Sequence, residues 1–382
     1  AIYPAMANSV MMYDCLGYDP AHPDYAVARK SVYNLVIDKP ERTYCQPCLS
    51  PVWDTGLALH ALLEANAPRD RIDKGCEWLV GKQVLDVVGD WADWRPDVRP
   101  GGWAFQYNNA YYPDLDDTAV VVMALDRADR VKYREAIERG TEWVLGLQSK
   151  NGGWGAFDAD NTYYYLNHIP FADHGALLDP PSADVTGRCL GMLAQLGYKK
   201  DHPAVAAAIE YLRREQEPEG CWFGRWGTNY IYGTWSVMGA LNAIGVDPKD
   251  RMMRRAVEWL VGKQRADGGW GEDGASYWKE KPDYKSRWGE CAVSTPAQTA
   301  WALIALMAAG EVDNDAVKRG MAWLASAQKP DGTWDEEYYT AVGFPRVFYL
   351  RYHGYKAFFP QWALSRYQNL TTGNAAPPLY GM

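Results

Sequence analysis

Two kinds of patterned segment alternate along the chain. One kind is apolar nearly all the way round: Ala119–Leu125 and Ala300–Ala309 carry almost no polar position. That pattern predicts helices buried on most sides. The other kind, Arg251–Gln264 for example, keeps its charges to one face and runs into an Asp-Gly or Asn-Gly pair. It predicts a surface helix with a turn behind it. The apolar helices are led by Thr55, Thr118, Thr186, Thr234 and Thr299, several with an Asp or Ser just ahead. Such side chains cap the free N–H groups of a helix start.

The two kinds share one rhythm. Gln83, Gln148, Gln216, Gln264 and Gln328 each close a surface helix and are followed by Gly and Trp, at spacings of 65, 68, 48 and 64 residues. The threonines are spaced 63, 68, 48 and 65. Two patterns in step mean one supersecondary unit, repeated. Read by spacing, the first turn ends on Gly89-Asp90-Trp91 and the others on Trp154, Trp222, Trp270 and Trp334. An apolar helix inside and an amphipathic helix outside, repeated about an axis, predict an all-α fold. The architecture is an α/α toroid of the six-barrel type, a double ring of inner and outer helices. Five units are complete; residues 1–37, with a helix pair in Pro4–Leu35, read as the remnant of a second barrel. Residues 38–370 form the toroid, closed near Phe358–Tyr367, and 371–382 a flexible tail. In the turns, Gln is expected to bond backbone groups and Trp to stack across the connection.

Composition adds that Trp 18, Tyr 26 and Phe 8 far exceed what core filling requires; the chain wants ring faces. A net charge of −9 with no basic block excludes a nucleic-acid footprint. The longest apolar run is ten residues, too short to span a bilayer. Seven irregularly spaced Cys are no disulfide framework, and Cys45 with Cys48 reads as a buried, reduced pair in a cytosolic compartment. No signal peptide opens the chain, and its start at Ala1 leads us to expect that residues have been removed ahead of it.

The chemistry concentrates in TyrTyrProAspLeuAspAspThrAla, residues 111–119. Asp114, Asp116 and Asp117 start an apolar helix. One Asp there is a cap, but three overshoot that need. Like charges so close raise a carboxyl pKa and keep a proton on it near neutrality. Clustered Asp can also hold Mg²⁺, but the accompanying residues are aromatic: Trp53, Phe105, Trp226, Phe344, Phe348, Tyr352 and Tyr355. Ring faces stabilise cations, by about 0.5–2 kcal/mol each. An acid at the end of a ring-lined cavity suits protonation of an alkene and steering of the carbocation. No metal or cofactor motif is present.

These residues resemble the class II triterpene cyclases, the squalene–hopene cyclase family. The likeness rests on Asp114–Ala119, the Gln–Trp repeats, Ser50–Gly56, Trp222–Gly227, Ser294–Ala300 and Gly343–Leu350, and covers residues 1–370. It implies that Asp116 donates the proton, that Asp114 and Asp117 set its acidity and reprotonation, and that Arg188 is its basic partner. Tyr232 matches a tyrosine that orients the acid through water. Trp53, Phe105, Trp226, Phe344, Phe348 and Tyr352 match cavity aromatics; Phe157 stands where some members carry Tyr. Phe171, Ala172 and His174 match an entrance stretch. The implied reaction is cyclisation of squalene to hopene or its hydrated alcohol, in hopanoid biosynthesis. The implied setting is a monotopic enzyme on the cytoplasmic side of a bacterial inner membrane, with a homodimer as a candidate assembly. Tyr163–Leu166, Ile169–Phe171 and Ala176–Leu178 are candidates for the membrane contact. The family carries a second barrel that this length omits, so the cavity is expected to be open on one side. A class II diterpene cyclase shares the acid motif, and a non-catalytic toroid would share the fold. A glycosidase would need two separated carboxyl groups instead.

Overall fold

The computed structural model describes residues 2–107, 109–169, 177–373 and 382. Two short helices come first, α1 (Tyr3–Cys15) and α2 (Pro23–Tyr33), packed on each other. Of the remaining helices, six form an inner ring: α3 (Pro51–Glu64), α5 (Leu115–Asp129), α7 (Ala183–Leu196), α9 (Tyr230–Ala243), α11 (Pro296–Ala308) and α13 (Tyr355–Thr371). Each packs on the next, and α13 returns to α3, so the ring is closed. Five amphipathic helices surround it: α4 (Arg69–Val80), α6 (Arg134–Gly146), α8 (Pro203–Arg214), α10 (Arg251–Gly262) and α12 (Asp315–Ala327). Inner helices start on side-chain caps such as Ser50, Asp114 and Thr295, which accept from the first-turn N–H groups. All five leading threonines lie on the inner ring, and α11 is buried along its whole length. The fold is therefore the expected helical toroid.

The shared rhythm of Thr and Trp has a direct cause. Thr118, Thr186, Thr234 and Thr299 each accept a hydrogen bond from the backbone N–H of a turn tryptophan, Trp103, Trp154, Trp222 and Trp270. Each of those indoles, and Trp334, donates Nε1–H to a carbonyl at the end of the preceding outer helix. Gln148, Gln216 and Gln264 donate to the glycine carbonyl of their own turn and to a first-turn carbonyl of the next outer helix. The glycines two residues before Trp154, Trp222, Trp270 and Trp334 hold φ between 82° and 105°, a region Gly enters without cost. The first unit departs from the spacing: Gln83 bonds Gly101 and Ala136, and the turn tryptophan is Trp103, not Trp91. An insertion between Gln83 and Gly101 carries Trp91 away, and its Nε1 has no partner.

Among the described residues three small antiparallel hairpins interrupt the helices: β1 (Val36–Lys39) with β2 (Arg42–Cys45), β3 (Trp103–Ala104) with β4 (Pro113–Asp114), and β5 (Ala341–Phe344) with β6 (Phe348–Leu350). The second pairs Trp103 with Asp114 and so ties the acid motif to the turn tryptophan. At the other end of the ring, buried Glu64 of α3 accepts from Arg127 of α5 and Arg366 of α13, both at 2.9 Å. Asn369 adds a bond to the Glu64 carbonyl. This network joins the last inner helix to the first two. Of the tail, Thr371 still belongs to α13, 374–381 lie outside the described residues, and the buried Met382 accepts from Arg366. Cys48 is buried but Cys45 is exposed on its hairpin, so the two do not form a buried pair. Among the described residues no helix is long and apolar enough to cross a membrane.

Candidate active site

The inner helices present their N-termini at one end of the ring, where a cavity of about 440 Å³ opens. Asp114, Asp116, Asp117 and Tyr232 line it together with Trp53, Phe105, Phe157, Trp226, Phe344, Phe348, Tyr352 and Tyr355. The two strands β5 and β6 aim the phenylalanines inward, and the start of α1 (Ile2, Pro4, Ala5, Asn8) forms part of the rim. The rings brace one another: Phe157 lies edge-on to Trp226 at 6.0 Å and Tyr352 sits 4.9 Å from Tyr355. Trp53 Nε1–H donates to the Tyr355 hydroxyl at 2.7 Å. Cys48, Val342 and Leu350 complete an apolar wall that the aromatic count alone does not indicate.

The three carboxyls have different work. Asp114 caps α5: its Oδ1 accepts from the N–H groups of Asp116 and Asp117 at 2.7 and 3.1 Å. Asp116, 5% exposed, accepts Arg188 Nε–H at 3.0 Å. Arg188 Nη2–H donates on to the Tyr232 hydroxyl at 2.6 Å, so Tyr232 bears on Asp116 through the guanidinium. Asp117 Oδ1 is buried without a partner. Arg188 lies beneath the cavity wall, fully enclosed.

Burial is the largest cause lifting all three carboxyls above the usual range. Neighbouring carboxylates come second for Asp114 (from Asp116) and for Asp117 (from Asp114). Asp116 is raised only to about 6, because burial is opposed by Arg188, with Asp184 pushing upward again. The charge-crowding argument from sequence therefore needs correcting. Desolvation holds the protons on, and the cation makes Asp116 the strongest acid of the three. That combination suits a proton donor: the carboxyl is neutral in mildly acidic surroundings, and Arg188 stands where the anion would be left.

The sequence reading passed over two residues here. Asp184 on α7 accepts from the N–H groups of Arg225 and Trp226, both at 2.9 Å, and so holds the Trp226 loop against the cavity. Trp235 on α9 lies under Arg188, its ring 4.4 Å from the guanidinium carbon. The expected entrance residues Phe171, Ala172 and His174 lie outside the described residues. Tyr163, Tyr164, Tyr165 and Leu177 are exposed, Leu166 and Ile169 are half-buried, and Leu178 is buried.

Comparison with known proteins places this arrangement. Residues 49–369 match the squalene-hopene cyclase C-terminal domain. The chain belongs to the squalene-hopene cyclase family. Residues 1–41 match the squalene-hopene cyclase N-terminal domain. A probable squalene–hopene cyclase of Sinorhizobium fredii is 61% identical over 98% of the chain, and the squalene–hopene cyclase of Bradyrhizobium diazoefficiens is 59% identical over 100%. The chain spans 58% of the length of each of these family members. Among solved structures, type II terpene cyclase MstE from Scytonema is similar in fold. Its TM-score is 0.55 at 16% identity, covering 89% of this chain and 92% of that one.

Proposed function

We propose that this chain carries the acid end of a squalene–hopene cyclase, a class II triterpene cyclase that closes squalene to hopene or its hydrated alcohol. The observation that carries the reading is a protonatable carboxyl, Asp116, paired with a buried cation at the end of an aromatic cavity. In this reading Asp116 gives its proton to one carbon of the terminal alkene. The alkene π pair forms the new C–H bond, and the electrons of that O–H bond stay on the carboxylate facing Arg188. The cation is then attacked by the next double bond, and each further ring forms the same way. The last cation loses a proton, giving a net isomerisation, or takes up water that then gives up one of its protons, leaving the alcohol. Trp53, Phe105, Phe157, Trp226, Phe344, Phe348, Tyr352 and Tyr355 offer ring faces and exclude water, which strengthens each cation contact. Asp114 and Asp117, with pKa values well raised, return a proton to Asp116 between turnovers.

Squalene reaches such a cavity from a bilayer. The exposed Trp94, Tyr163, Tyr164, Tyr165 and Leu177 are the contact we assign to the membrane surface, as a peripheral protein on the cytoplasmic side of the inner membrane. The test is incubation with squalene in detergent and analysis of products by gas chromatography–mass spectrometry. It is run on the chain alone and on the chain joined to the N-terminal region its relatives carry. Cyclised triterpene supports the proposal. Unchanged squalene from the joined protein, with the fold intact, ends it.

A further inference from the structure

Arg188 is an incompletely satisfied cation. It is 1% exposed, gives Nε–H to Asp116 and one Nη2–H to Tyr232, and its Nη1 has no hydrogen-bond partner. A guanidinium enclosed this way needs another source of compensation, or it will leave the site. The indole of Trp235 supplies one. Its ring lies 4.4 Å from the Arg188 guanidinium carbon, against 5.3 Å for Tyr232 and 5.7 Å for Trp53. Trp235 cannot drift, because it stacks on Trp301 at 5.8 Å and 7° and meets Phe359 edge-on at 5.2 Å. Three successive inner helices therefore supply a stack of guanidinium, indole and indole.

A close approach of α7 and α9 lies beside the stack. A Cβ on Gly187 would lie 2.7 Å from Ser236 Oγ and 2.9 Å from the Ser236 backbone. The missing side chain at 187 thus brings α7 against α9 one residue from each partner of the stack, and Ser236 Oγ–H fixes the approach by donating to the Asp184 carbonyl at 2.6 Å.

We propose that Trp235 is a positioning residue for the acid: its ring face carries the Arg188 guanidinium and so fixes the cation against Asp116. The proposal rests on the reading of Asp116 as the proton donor. Arg188 and Asp184, both on α7, act on the Asp116 carboxyl in opposite directions, and Asp116 in turn acts on Asp114, Asp117, Cys189 on α7 and Tyr232 on α9, while Asp54 on α3 acts on Asp117. Of these, Arg188 alone is a cation, so loosening it moves Asp116 in one direction: the carboxyl holds its proton to higher pH and becomes a weaker acid.

The experiment compares Trp235→Leu, Trp235→Phe and Arg188→Lys. The protonated Asp116 carboxyl is followed by infrared difference titration of the 382-residue chain, its band identified by its loss in Asp116→Asn. Cyclisation rates are read on the chain joined to the N-terminal region of its relatives. Trp235→Leu is expected to shift the carboxyl titration up by about one pH unit and to slow cyclisation by about three- to tenfold. Trp235→Phe keeps a ring face and stays within about twofold of wild type. Arg188→Lys keeps the charge without a flat surface to stack, and shifts in the same direction as Trp235→Leu. An unmoved titration in folded Trp235→Leu, or equal shifts in the Leu and Phe variants, overturns the proposal. Variants that show these titration shifts, beside a wild type that makes no cyclised product, remove the proposed reaction and leave the positioning role supported.

Discussion

Replacing Asp116 by Asn removes one ionisable oxygen from a site where its charge is expensive to hold. The folded protein raises this carboxyl from 3.8 to about 6, with burial as the largest cause and Arg188 only partly offsetting it. A carboxyl raised on folding contributes stability that is fully present below pH 3.8 and is lost as pH rises through about 6. Across that window the loss amounts to about 3 kcal/mol. Asn keeps the shape and an acceptor for Arg188 Nε–H, and it never pays the charge. Asp116→Asn should therefore match wild type at low pH and exceed it by about 3 kcal/mol at pH 8. With ~2.1 cal/mol/K per residue over 382 residues, the unfolding entropy is about 0.8 kcal/mol/K, so the gain is about 4 °C in melting temperature. The same variant should be inert in cyclisation, an exchange of stability against activity. The assay is thermal unfolding of both proteins at steps from pH 4 to pH 8. A variant that melts below wild type at pH 8 would refute the reasoning, because the ionised Asp116–Arg188 pair would then be a net stabiliser.

Other consequences follow from the scaffold. Glu64 is pushed up by burial but pulled down harder by Arg366 and Arg127, to about 2, so its contribution is present above pH 4.5 and lost as pH falls toward 2; Glu64→Gln should lower stability at pH 7 by about 3 kcal/mol, with the gap to wild type closing in acid unfolding. Gln216 bonds both Gly220 and Met252, whereas Gln328 bonds only Gly332 among the described residues. Gln216→Ala should cost about 1–3 kcal/mol in denaturant unfolding and Gln328→Ala less. A Cβ on Gly140 would lie 2.8 Å from Val122 and 3.0 Å from the Trp103 ring, so Gly140→Val should cost about 1–3 kcal/mol by overpacking, read from the denaturant midpoint.

The ring could be read from the sequence because Thr118, Thr186, Thr234 and Thr299 are each bonded to a turn tryptophan, which forces the two residue types into one rhythm. The first unit misled for the same reason: spacing pointed at Trp91, and only the bond from Trp103 to Thr118 reveals the insertion. The acid cluster was legible as three carboxylates at a helix start, but not its balance. Crowding of charge is visible in a sequence, whereas burial and the placement of Arg188 are tertiary facts. Trp235 was invisible for a related reason. In a helix apolar on every side, with all residues from Tyr230 to Leu241 buried, no periodicity marks the one ring that meets a cation. Asp184 carries no sequence signal beyond its place at a helix start, and its bonds to Arg225 and Trp226 are tertiary.

The claim at the centre of this account is that Asp116 starts the reaction with a proton drawn from solvent through a carboxyl. The direct test incubates squalene in D₂O with the chain joined to the N-terminal region of its relatives, beside the Asp116→Asn variant. Products are analysed by mass spectrometry. The account predicts cyclised triterpene carrying one solvent deuterium on carbon from the wild type, and none from the variant. Cyclised product without deuterium, or labelled product from Asp116→Asn at the wild-type rate, would contradict it.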